Sequence, residues 1–122
     1  MGDWLKMTAA ELGRGIAAGA IDPVDLTEAY LNAIDAHELT PRIYARSTAD
    51  RARAEARAAR DRAVSGLRRS PLDGVPVSWK DLFDSAGTVT EAGSKLLAGR
   101  VPDRDARVLA MEWRYPMRAS KV

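Results

Sequence analysis

Alanine recurs at Ala49, Ala52, Ala56, Ala59 and Ala63, in alternating steps of three and four residues. That spacing places all five on one side of a helix. A seam made only of methyl groups lets another element approach closely. It buries little area, however, so its hydrophobic gain is small. The spacing predicts a helix that starts at a Ser47 or Thr48 cap and runs to about Val64. Its outer side is rich in arginine, with Asp50, Glu55 and Asp61 interspersed. Arg51–Glu55 and Arg57–Asp61 are i,i+4 pairs worth about 0.3 kcal/mol each. This reads as a solvated, salt-laced helix. A basic helix for RNA or an acidic partner is the competing reading. The interleaved acids and the lack of aromatic stacking residues weigh against it.

Two further helices precede it. Thr8-Ala9-Ala10-Glu11 is a capping box, with Leu12 and Ile16 following on one side and Gly19 as the stop. It predicts a helix from about Ala9 to Ala18. Asp22-Pro23 opens the second, because proline in the first turn loses no hydrogen bond. Leu26, Tyr30 and Ile34 make its apolar stripe, which fades near His37. Ile43-Tyr44-Ala45, after Pro41, reads as a short strand. Pro71 to Gly74 is a turn, and Asp81 to Phe83 a short helical turn. Thr88 marks another possible strand position. Ser94 to Leu97 and Pro102 to Leu109 read as helical.

Composition narrows the chemistry. The 122 residues suit one compact domain or a piece of a larger one. There is no cysteine, which excludes disulfides, thiolate catalysis and cysteine-ligated metals. The lone His37 cannot build a histidine metal cluster and reads as a helix-end residue. A net charge of +2 is not a nucleic-acid signature. No apolar run is long enough to span a membrane, and no secretory leader is evident. The expected setting is cytoplasmic, with no metal and no organic cofactor.

The most informative stretch is Gly74 to Asp84. Val75, Val77 and Trp79 alternate with Pro76, Ser78 and Lys80, a period of two that argues a strand. Pro76 suits an edge, a strand start or a bulge. Lys80 falls on the side opposite Trp79. On spacing alone it is an ordinary surface or salt-bridged lysine. A buried lysine would differ, since burial favours the neutral amine, which can act as a general base.

The run Pro71-Leu72-Asp73-Gly74-Val75-Pro76-Val77-Ser78-Trp79-Lys80-Asp81 closely resembles the lysine-bearing segment of amidase-signature enzymes. That segment reads approximately P-L-x-G-[VI]-P-[VI]-x-[VIL]-K-D. Ala86-Gly87, Thr90 and Gly93-Ser94 resemble its continuation, and Asp105-Ala106 with Val108 the helix after it. The resemblance covers roughly residues 8 to 110. It implies an α/β fold, of which this chain holds the N-terminal part: helices followed by the first strands of a mixed sheet, near Ile43, Val77 and Thr88. It implies hydrolysis at amide C–N bonds through a Ser–cis-Ser–Lys triad, with Lys80 as the lysine and a small-molecule amide as substrate. Ser78 and Ser94 match neither family serine and read as ordinary polar residues.

The pattern departs after Leu109. The family continues with the rest of a helix and a short apolar strand, whereas residues 111–122 contain Pro116 and no apolar run. Residues 1–110 therefore read as the N-terminal portion of an amidase domain and 111–122 as a divergent tail. A shift of coding frame near Ala110 is the expected origin of that tail. No glycine- and serine-rich loop is present, and Ser120 lacks glycine support. The expectation is a truncated amidase, inactive alone and marginally stable, with Val75, Val77, Trp79 and Leu82 partly open. The alternative is a non-enzymatic helical module that binds a protein or RNA. Substrate identity and oligomeric state are left open.

Overall fold

In a computed structural model, residues 3–112 are described. The chain divides into two compact units, the first ending at Pro76 and the second beginning at Val77.

In the first unit, a 3-10 turn at Trp4–Lys6 precedes α1, Ala9–Ala17. The capping box forms as its residues predict. The Glu11 N–H donates to Thr8 Oγ1 at 3.3 Å, and the Thr8 N–H donates to Glu11 Oε2 at 2.7 Å. Ala18 ends the helix and Gly19 follows at φ +69°, the left-handed stop that glycine tolerates. α2 spans Pro23–Ala36 and is capped by Asp22, which accepts from the Val24 N–H at 2.7 Å. His37 stands at its C-terminal end, as expected. Leu12, Ile16, Ile21 and Leu26 form the core, with Trp4, Met7, Tyr30, Ala63 and Val75 packed against it.

A one-turn helix, α3, Thr40–Ile43, leads into α4, Ala49–Val64. α4 packs against α2 and buries Ala56 and Ala59 from its alanine seam. Small side chains give little area there, and charge adds to the tie. Arg53 donates twice to the Glu28 carboxylate, at 2.7 and 3.1 Å. Arg60 reaches Asp22 at 2.8 Å. Thr48 occupies the N-cap position without a side-chain capping bond.

The second unit is held mainly by loop hydrogen bonds. The Gly87 N–H donates to the Pro102 carbonyl at 3.0 Å, Thr90 to Arg100 at 2.9 Å and Ala106 to Asp84 at 2.8 Å. Ser94 caps a 3-10 turn at Lys95–Leu97, and α5 covers Arg107–Glu112.

The expected sheet is absent among the described residues. Ile43, expected in a strand, instead ends α3. Pro41 sits in the first turn of that helix, where a preset φ and a missing donor suit a helix start. The Thr40 hydroxyl also donates back to the Ile34 carbonyl, curling the chain at the end of α2. Near Thr88 there is only an isolated antiparallel bridge to Ser85. Val75 to Lys80 joins no ladder, since a strand needs a neighbour and none of the described residues supplies one. Residues 113–122, with Pro116 and Ser120, lie outside the described residues.

Candidate active site

The turn before Lys80 is built within the first unit. Asp73 is buried, and both of its oxygens accept from Arg62, at 2.8 and 2.7 Å. The Arg69 N–H adds a third bond at 3.0 Å. Burial pushes the Asp73 carboxyl up. The Arg62 guanidinium and the Arg69 amide outweigh that push and hold it below the usual carboxylate range. Arg68 donates to the Pro71 and Asp73 carbonyls at 3.0 and 3.1 Å.

Two glycines let this turn sit close to the helices. A Cβ on Gly13, in α1, would lie 2.1 Å from the Pro71 carbonyl oxygen. Gly74 has φ +96°, and its Cβ would come within 3.0 Å of the Pro23 ring. Packing alone therefore calls for glycine at Gly13, and packing together with a left-handed backbone calls for it at Gly74. The sequence reading missed the part played by Asp73. Its only advance signal was an acid inside a Pro-x-Asp-Gly turn.

Lys80 itself lies in the second unit and is exposed. Its carbonyl accepts from the Leu82 and Phe83 N–H groups at 2.7 and 3.2 Å, so the chain turns sharply just after it, as expected of Asp81 to Phe83. The Trp79 and Phe83 rings meet edge to face, with centroids 5.6 Å apart at 74°. Asp81 Oδ1 accepts from the Glu91 N–H at 3.3 Å, and Glu91 Oε1 from the Gly99 N–H at 2.8 Å. Arg100 grips Asp84 through two bonds of 2.6 and 2.7 Å and holds its carboxyl below the usual range. The lysine-bearing loop is thus pinned on its C-terminal side.

The nearby serines have other settings. Ser94 Oγ accepts from the Leu96 N–H at 3.2 Å, a capping role. Ser78 is exposed. Among the described residues, no group of three or more His, Cys, Asp or Glu could hold a metal ion. No helix among them is long and apolar enough to cross a membrane.

The family model described as Amidase matches residues 25–111, most of the chain and all of the lysine-bearing loop. The chain belongs to the amidase family. The A-type subunit of glutamyl-tRNA(Gln) amidotransferase from Anaeromyxobacter sp. (strain K) is 50% identical over 104 residues, covering 85% of this chain and 21% of the relative. The protein of the same name from Streptomyces coelicolor is 39% identical over 108 residues, covering 88% of this chain and 22% of its own length. A solved structure described as "An unexpected vestigial protein complex reveals the evolutionary origins of an s-triazine catabolic enzyme" superposes with a TM-score of 0.78. It is 35% identical and matches 85% of this chain and 23% of its own. This amidase-family chain therefore spans about a fifth of the length of the relatives it matches.

Proposed function

We propose that this chain provides the lysine of an amidase that works at amide C–N bonds through a Ser–cis-Ser–Lys triad, and that Lys80 is that lysine. The observation that carries the reading is the position of Lys80. It ends the extended run of a family-matched segment, with the buried Asp73 turn upstream in the sequence and the Asp84–Arg100 pair downstream. In such a triad the amine exchanges a proton with the cis-serine, which relays it to and from the nucleophile. An acyl-enzyme then forms, and backbone N–H groups hold the oxyanion.

The sequence holds no glycine- and serine-rich loop of the kind that carries the cis-serine. The 122-residue chain by itself is accordingly expected not to turn over amides. Glutamine or asparagine amide is one substrate class that fits, because the relatives are named as glutamyl-tRNA(Gln) amidotransferase subunits of the A type. A basic RNA-binding helix is disfavoured, because Arg51, Arg53, Arg60 and Arg62 each engage a carboxylate of this same chain.

Two assays test the reading. The purified chain and Lys80→Ala, both shown to be folded by circular dichroism, are offered a panel of aryl and alkyl amides. Neither should exceed background. Turnover lost in Lys80→Ala would reveal a nucleophile within these residues and overturn the inactivity. In the second assay, residues 8–110 replace the matching part of the Anaeromyxobacter relative. Lys80→Ala in that chimera should cost about 10⁴-fold in kcat, and an undiminished rate would remove Lys80 from catalysis.

A further inference from the structure

The motif that carries Lys80 continues into Asp81, and the Ser–cis-Ser–Lys chemistry makes no use of that carboxylate. In the structure Lys80 and Asp81 open a tight turn. The Lys80 carbonyl accepts from the Leu82 and Phe83 N–H groups at 2.7 and 3.2 Å, which places Asp81 at the first corner. Asp81 Oδ1 reaches ten residues along the chain and accepts from the Glu91 N–H at 3.3 Å. The Trp79 and Phe83 rings, which flank the turn in the sequence, meet edge to face with centroids 5.6 Å apart.

The donor at Glu91 is itself held in place. The Ser94 N–H donates to the Glu91 carbonyl at 2.8 Å and closes a turn over Ala92 and Gly93. Ala92 has φ +50° and Gly93 φ +66°. A residue with a Cβ in that region persists where its surroundings over-determine it. The Gly99 N–H donates to Glu91 Oε1 at 2.8 Å, so the Glu91 side chain closes a second loop. Thr90, the residue before it, is buried, and its N–H donates to the Arg100 carbonyl at 2.9 Å. Glu91 is thus fixed through its carbonyl, its carboxylate and its neighbour, and its N–H is offered to the residue after Lys80.

A lysine carries its nitrogen on a flexible four-carbon stem. Where that nitrogen can reach is set by the backbone from which the stem departs. A catalytic group works only when neighbours hold it near its productive geometry. We infer that Asp81 is a positioning residue for Lys80, because it ties the turn that bears the lysine to the fixed Glu91 backbone. Its part is to accept a hydrogen bond, not to take or give a proton. The inference rests on the amidase reading above and gives a role to the carboxylate which that reading leaves unused.

Two measurements test it. In the chain itself, amide hydrogen exchange is followed by nuclear magnetic resonance. The Glu91 and Phe83 N–H groups should exchange faster in Asp81→Ala, and near the parent rate in Asp81→Asn, whose amide oxygen still accepts. In the chimera carrying residues 8–110, Asp81→Ala should lower kcat about 10²-fold with KM near the parent value. Asp81→Asn should restore most of that rate. Asp103→Ala, which removes an exposed carboxylate of the same unit, should leave it unchanged. Circular dichroism checks that each variant keeps the parent helices. A parental kcat in Asp81→Ala, in a chimera that Lys80→Ala disables, overturns the inference and leaves the lysine assignment standing. Turnover that survives Lys80→Ala, or a folded chimera with none at all, overturns both. Asp81→Asn as slow as Asp81→Ala also overturns the inference, because the charge and not the acceptor would then matter. So does a slow Asp81→Ala with unchanged exchange at Glu91, which would assign the carboxylate to the reaction itself.

Discussion

The two units of this chain achieve cohesion by different means. The first, through Pro76, places Leu12, Ile16, Ile21 and Leu26 in one cluster and ties its helices together with ion pairs. The second, from Val77, uses carbonyl and carboxylate contacts between loops and leaves most of its large apolar side chains in solvent. Apolar burial supplies most of the free energy of folding, while hydrogen bonds exchange one polar partner for another and add about 1 kcal/mol each. The first unit thus has the means to hold its own shape. The second keeps its loops in register but gains little from excluding water. The difference also tracks the motif. The turn containing Asp73 sits on the unit with the apolar core, whereas Lys80 sits on the one whose large apolar side chains are mostly exposed.

The sharpest way to break this contrast is to truncate one leucine in each unit. Leu26 is fully buried, and Leu26→Ala should destabilise the chain by about 4 kcal/mol. Far-UV circular dichroism in urea reads this well, since α1, α2 and α4 all lie in the first unit. Leu96→Ala, at a side chain almost wholly in solvent, should leave the midpoint unchanged. Equal effects would mean that both units share one core. Next in size is Asp73→Ala. It would strand Arg62, whose side chain is mostly buried, at a cost of about 3 kcal/mol. A variant as stable as the parent would show that the pair does not fasten the turn to α4.

How much of this was legible depends on the range of the interactions involved. The three longer helices of the first unit, α1, α2 and α4, were legible because their signals are local. Thr8 with Glu11, Asp22 with Pro23 and the alanine seam each act within a few residues, and each element starts or ends within a residue or two of its expected bound. The expected strands are absent among the described residues, because a period of two describes a side-chain pattern and not a partner. Val77 and Trp79 alternate correctly with Ser78 and Lys80, yet both are exposed. At Ile43 the same apolar signal was overridden by Pro41 and by the Thr40 hydroxyl bond to α2. Asp73 was hidden for a related reason. Its importance comes from Arg62, eleven residues away, and turn chemistry alone does not reveal that partner. Lys80 was picked out by its motif rather than by its spacing, and its exposure agrees with what the spacing alone suggested.

The smallest expected effect concerns acid. Asp22, Glu28 and Asp73 in the first unit and Asp84 in the second all have carboxyls held below their ordinary range by arginine partners. A carboxylate with a depressed folded pKa binds fewer protons in the folded than in the unfolded state. Its stabilisation is present above the unfolded value, about 4, and is lost as the pH falls through the folded value. The urea midpoint of the helical signal should therefore hold steady above about pH 5 and decline below about pH 4. Asp73→Asn should flatten that decline the most, because its carboxylate is shielded from water and its arginine partner has little other solvation. Asp84→Asn should flatten it least, because the Asp84–Arg100 pair is substantially exposed and water screens it. A larger change from Asp84 than from Asp73 would mean that the loops of the second unit, not the ionic ties between helices, limit the stability of the chain. That result would reverse the order of the two units drawn from burial.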